Sequence, residues 1–366
     1  MKKYIITLGL LASPLLAHAQ TNVTLYGLLD AGVQHQRVEI DDYGKATRTG
    51  MSQSVRAGNR WGLKGSEDLG DGLKAIFTLE NGFNLNDGSA GDAKRTAFNR
   101  QAFMGLSSQK LGSLTLGRQY NSGFTYFGTF GAFGTGYGLA GISRSFSSAF
   151  VRYDNMLKYE TPMMGGLKAT VGYSRDAGIG SGDEDVKAFM AGVLYASGPL
   201  RFTVNYDRVS HLPNRTGPGS GALTAWNAAI SWNFDVADVT ISAGQDIDGR
   251  IANMIPGMLA PLGNVNPAPN AVHMDGFKAT NAALSARIPL SEGILLANWM
   301  MSHSNLDDVV TAGGHGTGTQ NAFSLGYAYD LSKRTSLYAV GTYMKNISYI
   351  EDSSASEWTL GLMHRF

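Results

Sequence analysis

The sequence has no cysteine, and past residue 20 it has no run of eighteen apolar residues. The first absence excludes disulfides, so a chain bound for an oxidising compartment must be held together by other means, such as an extended closed hydrogen-bond network. The second excludes a membrane-spanning helix. A formal net charge of +1 over 366 residues argues against a general nucleic-acid binder. No G-x-S-x-G elbow occurs, and no two histidines have metal-ligand spacing. From Ala93 to Tyr153 there is no aspartate or glutamate, while Lys94, Arg95, Arg100, Lys110, Arg118, Arg144 and Arg152 fall in that interval.

The first twenty residues, MKKYIITLGLLASPLLAHAQ, combine a basic head (Lys2, Lys3), an apolar stretch from Tyr4 to Leu16 and the A-x-A pattern Ala17-His18-Ala19. They read as a cleaved secretory signal, residues 1–19, with Gln20 opening the mature chain. Cleavage leaves 28 basic against 29 acidic side chains, a net −1.

What the chain has in abundance is alternation. In LKATVGYS, Leu167, Ala169, Val171 and Tyr173 alternate with Lys168, Thr170, Gly172 and Ser174. LRFTVNYD sets Leu200, Phe202, Val204 and Tyr206 against Arg201, Thr203, Asn205 and Asp207. TAWNAAISWNF puts Trp226, Ala228, Ile230, Trp232 and Phe234 on one side. Such period-two patterns mark strands with one apolar and one polar face.

Connections alternate as well. Short turns at 67–72, 108–113, 162–166, 196–199, 235–238, 290–293 and 331–335 are interleaved with long segments near 36–58, 83–98, 120–151, 175–186, 209–223, 247–276, 304–320 and 345–356. Seven short turns and eight long loops predict sixteen strands. The apolar faces carry aromatics near strand ends, such as Tyr173, Trp226, Phe234, Tyr327 and Tyr343. The opposite faces carry more charge than a packed core tolerates. Together these predict an all-β fold, an antiparallel transmembrane barrel with its apolar face outward and a watery lumen.

Five stretches make a resemblance specific: VTLYGLLDAGV (23–33), RWGLKGSEDLGDGLKAIFTLENGF (60–83), NRQAFMGLSSQKLGSLTLGRQY (99–120), YDLSKRTSLYA (329–339) and GLMHRF (361–366). The chain resembles general diffusion porins of the Gram-negative outer membrane, and is most similar to the betaproteobacterial porins. That resemblance implies a single sixteen-stranded barrel domain over 20–366, with the third long loop folded into the pore. It also implies a homotrimer in contact with outer-membrane lipid and lipopolysaccharide, passing small hydrophilic solutes and ions. The terminal Phe366, which shares a face with Trp358, Leu360 and Leu362, would be the signal read by the outer-membrane assembly machinery. No cofactor, metal, nucleic-acid partner or enzymatic activity is implied.

The third long segment, about 120–151, begins YNSGFTYFGTFGAFGTGYGLAG, with seven glycines, seven aromatics and no charge. Its GYGLAG matches a dinucleotide-binding fingerprint in letters only, since neither a preceding parallel-unit strand nor a following helix accompanies it. Aromatic richness argues against a disordered linker. By resemblance it is the constriction loop, with Phe130, Phe133 and Tyr137 at the narrowest part. Arg60, Arg118 and Arg152 match the basic wall that faces such a loop. The acidic stretch that enteric relatives place on the loop has no counterpart, and Leu28 stands where some relatives carry another basic residue. Alternation turns Arg60 and Arg152 toward water, whereas Arg118 shares parity with Leu114 and Leu116 and points outward unless a bulge intervenes. With Asp30, Glu80, Asp154 and Glu160 as possible counter-charges, the expected preference is for anions.

The competing readings are a substrate-specific channel for a sugar or small organic anion, a secreted soluble β-protein, and an outer-membrane hydrolase with a Ser/His dyad on adjacent strands. Asp183, Glu184 and Asp185 could hold calcium weakly, but they fit a solvated acidic loop better.

Overall fold

The computed structural model describes residues 22–366 except 42, 93–96, 179–184, 211–221, 252–275 and 307–315. The expected signal at 1–19, Lys94, Arg95, and Asp183 and Glu184 of the acidic loop lie outside the described residues.

Among the described residues the chain forms one antiparallel sheet of seventeen strands. In order these are β1 (Asn22–Ile40), β2 (Gly44–Gln53), β3 (Arg60–Gly70), β4 (Leu73–Gly82), β5 (Gln101–Ser108), β6 (Gly112–Tyr120), β7 (Arg152–Glu160), β8 (Leu167–Arg175) and β9 (Lys187–Ser197). The remainder are β10 (Leu200–Ser210), β11 (Ala222–Asn233), β12 (Asp238–Ile247), β13 (Lys278–Leu290), β14 (Gly293–Ser304), β15 (Gln320–Asp330), β16 (Thr335–Lys345) and β17 (Ser354–Arg365). β1 pairs with β3 over Asn22–Leu28 and with β2 over Ala31–Ile40. β2 and β3 are therefore two lengths of one stave, interrupted at 54–59, and the sheet has sixteen staves. β17 pairs with β1 from Leu28↔Arg365 to Glu39↔Ser354, which closes the barrel.

The expected sixteen strands are thus present, but the expected first long loop, 36–58, is corrected. Strand pairing runs to Ile40↔Gly44, leaving only 41–43 as the connection. Beyond Val33 and Met51 the outward face turns polar (His35, Arg37 and Glu39 opposite Thr49, Thr47 and Lys45) while the inward face carries buried Val38 and Ile40, so the sequence loses the apolar-outward contrast that marks the other strands.

Alternation along each strand sorts outside from inside. Leu325 is 59% exposed and its neighbour Ser324 only 7%. Leu116, Val171, Val204, Trp226, Ile230 and Leu360 share the exposed outer face. An apolar exterior over a closed hydrogen-bonded ring is the solution a hydrocarbon environment permits. The inner face is polar and small, and at several positions it is alanine or glycine, which leaves room for the long third loop.

The outer face should reject charge. Val171→Arg is expected to cost about 2–4 kcal/mol near the bilayer midplane, whereas inward-facing Thr78→Arg should cost far less. Urea titrations of barrels refolded into lipid vesicles would measure both, and equal losses would reverse the inside/outside assignment.

Candidate pore constriction

The third loop leaves the wall at Tyr120 and returns at Arg152. Its first turn is a short helix, α1 (Ser122–Thr125), capped by the Asn121 side chain, which accepts from the Phe124 amide. The Asn121 amide nitrogen donates to Ser148 O at 2.8 Å and to Asp207 Oδ1 of β10 at 2.9 Å, tying both arms of the loop to the wall. Phe127, Phe130, Leu139, Ile142 and Phe146 then pack in one buried cluster with Ala229, Ala283, Met300, Ala322, Met344 and Ala355 of the inner wall. Phe133 and Tyr137 join a second cluster with Leu296, Ala328, Tyr338 and Val340. These wall residues belong to six staves, so the loop lies inside the barrel. Each phenyl ring buried there contributes about 1.5–3 kcal/mol.

Close approach accounts for the glycines of GYGLAG. A Cβ on Gly136 would stand 1.9 Å from Arg56 O, and one on Gly138 1.8 Å from Glu357 Oε1. Gly138 also has φ +60°, a left-handed conformation that costs other residues strain. The loop's polar groups are met by the wall as well. Glu357 accepts from the Leu139 amide at 3.1 Å, and Asn298 donates to Ala140 O at 2.8 Å. Arg287 donates to Gly131 O and Ala132 O at 2.8 and 3.0 Å. Arg201 donates to Thr129 Oγ1 at 3.1 Å, with its guanidinium 4.6 Å from the Phe130 ring centre. Tyr126, buried against the wall, donates to Glu160 at 2.9 Å; burial first, then the adjacent carboxylate, pushes its hydroxyl pKa up, so it stays a donor.

Two adjoining cavities remain beside the loop, sharing Phe124, Thr125 and Arg365. The larger, about 590 Å³, has Arg56, Arg287 and Arg365 on its wall and, among the described residues, no carboxylate. The smaller, about 400 Å³, has Arg60, Arg100 and Arg365 with one acid, Glu80. Of the sequence-derived wall residues, Arg60 lies there, 3.6 Å from Glu80. Arg152 stacks on Tyr120 at 4.6 Å and donates to its hydroxyl at 2.8 Å. Leu28 lines the smaller cavity and is buried.

Arg118 sits where the β6–β7 register shifts between Gly117 and Gln119, opposite Asn155, which has φ +49°. The bulge that parity required is present. Arg118 is half-buried, pairs with Asp154 and donates to Asn99 O at 2.9 Å, unlike exposed Leu116 on the same strand. Phe133 and Tyr137 form an edge-on pair 5.3 Å apart, and Arg56 lies 5.5 Å over the Tyr137 ring. Phe366 lies at the closing seam, far along the chain from the other candidates. Its amide donates to Gly27 O at 3.1 Å and its carbonyl accepts from Gly27 N at 3.0 Å.

Sequence reasoning did not single out Arg56, Arg100, Arg201, Arg287 or Arg365 as site residues. Arg201 had the signal, alternating with Leu200 and Phe202 on the inward parity. Arg100 stood in the acid-free interval. Arg56 lies in the stave interruption, where period two says nothing.

A closed sixteen-stave barrel with an apolar outer belt and a charged, partly plugged lumen is an outer-membrane channel. Residues 7–347 match the Gram-negative porin family, and the chain belongs to it. It is 35% identical to an outer membrane porin of Bordetella pertussis, with both chains covered completely. Outer membrane porin protein 32 of Delftia acidovorans is 29% identical over 99% of this chain and 92% of its own. Among solved structures, the anion-selective porin from Comamonas acidovorans superposes with a TM-score of 0.70 at 24% identity, over 94% of this chain and all of that one. OmpT of Vibrio cholerae in its trimer form superposes at 0.62 and 12% identity, over 94% and 99%. The protein is a Gram-negative outer-membrane porin, a channel for small hydrophilic solutes.

The fit of loop to wall gives a direct test. Gly138→Ala should destabilise the folded barrel by roughly 1–3 kcal/mol through left-handed strain and displacement of Glu357. Gly50→Ala, in β2 with nothing within 4 Å, should be close to neutral. Heat-induced mobility shifts on gels would rank the two, and equal ranks would contradict the close contact.

Proposed function

We propose that this porin prefers anions and that the third loop, with Phe130, Phe133 and Tyr137, forms its constriction against Arg60, Arg118 and Arg152 of the wall. The observation that carries this reading is the charge on the two cavities: Arg56, Arg60, Arg100, Arg287 and Arg365 against Glu80 alone. The four acids named as possible counter-charges, Glu80 included, are engaged. Glu80 is held by Arg100 at 2.7 Å, Glu160 by Lys168 at 2.8 Å, Asp154 by Arg118, and Asp30 by Tyr338 Oη at 2.7 Å and the Ala57 amide at 2.8 Å. Arg287 and Arg201 donate instead to uncharged loop oxygens and keep their charge uncompensated by those bonds. In a narrow, low-dielectric passage such fixed charges concentrate anions. The likeness to a porin described as anion-selective agrees with this reading.

The same proposal includes a cleaved signal at 1–19, a mature barrel over 20–366, and a homotrimer in outer-membrane lipid and lipopolysaccharide. Phe366 is proposed as the feature read by the assembly machinery, since its exposed ring crowns the outward row of Trp358, Leu360 and Leu362.

Reversal potentials in a salt gradient across planar bilayers test the preference. Each unit charge about 8 Å from the ion path is worth about 0.5 kcal/mol in water, or roughly twofold in ion occupancy. Because each charge acts oppositely on the two ions, Arg60→Ala with Arg365→Ala should lower the anion-to-cation permeability ratio roughly sixteenfold at low salt. Thr135→Glu, on the loop, should act in the same direction. The preference should fade as salt rises, and cation preference in the unmutated channel would sink the proposal. Separately, deleting Phe366 should cut the yield of folded barrels in the outer membrane while those that form conduct normally; unchanged assembly kinetics would remove its signal role.

A further inference from the structure

Arg250, just past the end of β12, is 1% exposed and touches neither cavity, so its charge does not meet passing ions. It donates instead to the return arm of the loop, to Arg144 O and Ser145 O at 3.1 Å each. Its other terminal nitrogen donates to the Tyr349 hydroxyl at 3.1 Å. That hydroxyl is 2.9 Å from Ser302 Oγ of β14, which donates to Asn281 Oδ1 of β13 at 2.6 Å. Asn281 in turn donates to Asp246 Oδ2 of β12 at 2.9 Å, and Asp246 accepts from Ser147 Oγ, back on the loop. The circuit closes when Ser147 Oγ accepts from the Ile251 amide at 3.1 Å. It joins the lumen loop, three staves and the last external turn through buried groups.

Tyr349 is held in that circuit against its own backbone preference. Asn346, Ser348 and Tyr349 have φ of +54°, +54° and +68°, three non-glycine residues in the left-handed region within four positions. Such strain persists where the surroundings over-determine it. Here they do so through the Arg250 and Ser302 bonds, a ring contact with Phe277 at 5.9 Å, and a 2.7 Å bond from the Gly318 amide to Tyr349 O.

We propose that Arg250 and Tyr349 are positioning residues that hold the return arm of the lumen loop in its conducting place, so that the external turn 346–353 governs how often the channel closes. This rests on the reading of the loop as the constriction, but not on the sign of the selectivity.

Single-channel recording of Tyr349→Phe tests it, since only a hydroxyl is lost and the ring contact is kept. Closures should become roughly tenfold more frequent, the effect of losing one hydrogen bond to a charged group. Open-state conductance and reversal potential should stay as they were. Arg250→Gln should close at least as often, and Arg250→Lys, which keeps a donor for the loop carbonyls, should fall between it and the unmutated channel. Because the chain has no cysteine, Ser143→Cys on the buried return arm gives a second readout. Its reaction with a water-soluble thiol reagent should speed up in the Tyr349→Phe background. Unchanged closure frequency and labelling rate in Tyr349→Phe would overturn the proposal even if Arg250→Gln failed to fold. A shifted reversal potential would also overturn it, by making these residues part of the selectivity charge. Failure of the anion preference alone would show in the unmutated channel and leave the closure test standing.

Discussion

The hydrogen bonds between β1 and β17, running from Leu28↔Arg365 to Glu39↔Ser354 and continued by Phe366 and Gly27, turn an open sheet into a ring without edges. An open edge in hydrocarbon would leave a row of amides and carbonyls without partners, each costing several kcal/mol. Once the ring is closed no strand among the described residues is left with an unpaired edge. The outer face is then free to be apolar, and the inner face free to serve the solute. The sixteen-stave circumference leaves a lumen wider than side chains alone can fill, and that space is what the third loop occupies.

Two kinds of interaction hold the loop there, and they do different work. Aromatic rings on small wall residues set its depth. Hydrogen bonds from Arg201, Arg287 and Asn298, and those to Asp207, Asp246 and Glu357, set its register. The carboxylates that fasten the loop, Asp207, Asp246 and Glu357, are buried and line neither cavity, whereas Arg287 bonds to uncharged loop oxygens on a cavity wall. The proposed electropositive passage would then arise from how the loop is attached, without any excess of base over acid in the chain as a whole.

Most of the fold was legible in the sequence because a membrane barrel writes its geometry as alternation wherever one side meets lipid. TAWNAAISWNF and LKATVGYS were read with the correct sides, since from Trp226 and from Leu167 on the outward positions are apolar and the inward ones polar or small. The β1–β2 hairpin was taken for a loop because beyond Val33 and Met51 its outward face is polar, and its apolar residues, Val38 and Ile40, face inward. Arg60, Arg118 and Arg152 were found by likeness to a family, and only Arg60 is on a cavity wall. Arg56 and Arg250 were out of reach. One lies in a break in a stave and the other past a strand end, and neither place leaves a period to read. The acid-free interval from Ala93 to Tyr153 was a signal of charge, yet of the five arginines on the cavities only Arg100 lies within it.

The inner wall where the loop's rings rest is alanine at Ala229, Ala283, Ala322 and Ala355, and Gly326 would place a Cβ 2.8 Å from the Phe133 ring. Bulk is divided between two partners across the lumen, and packed interiors tolerate exchange of volume better than its net gain or loss. Over evolutionary time the bore of such a pore can therefore be redrawn by trading size between a loop ring and the wall residue beneath it, while the number of staves and the lipid-facing surface stay as they were.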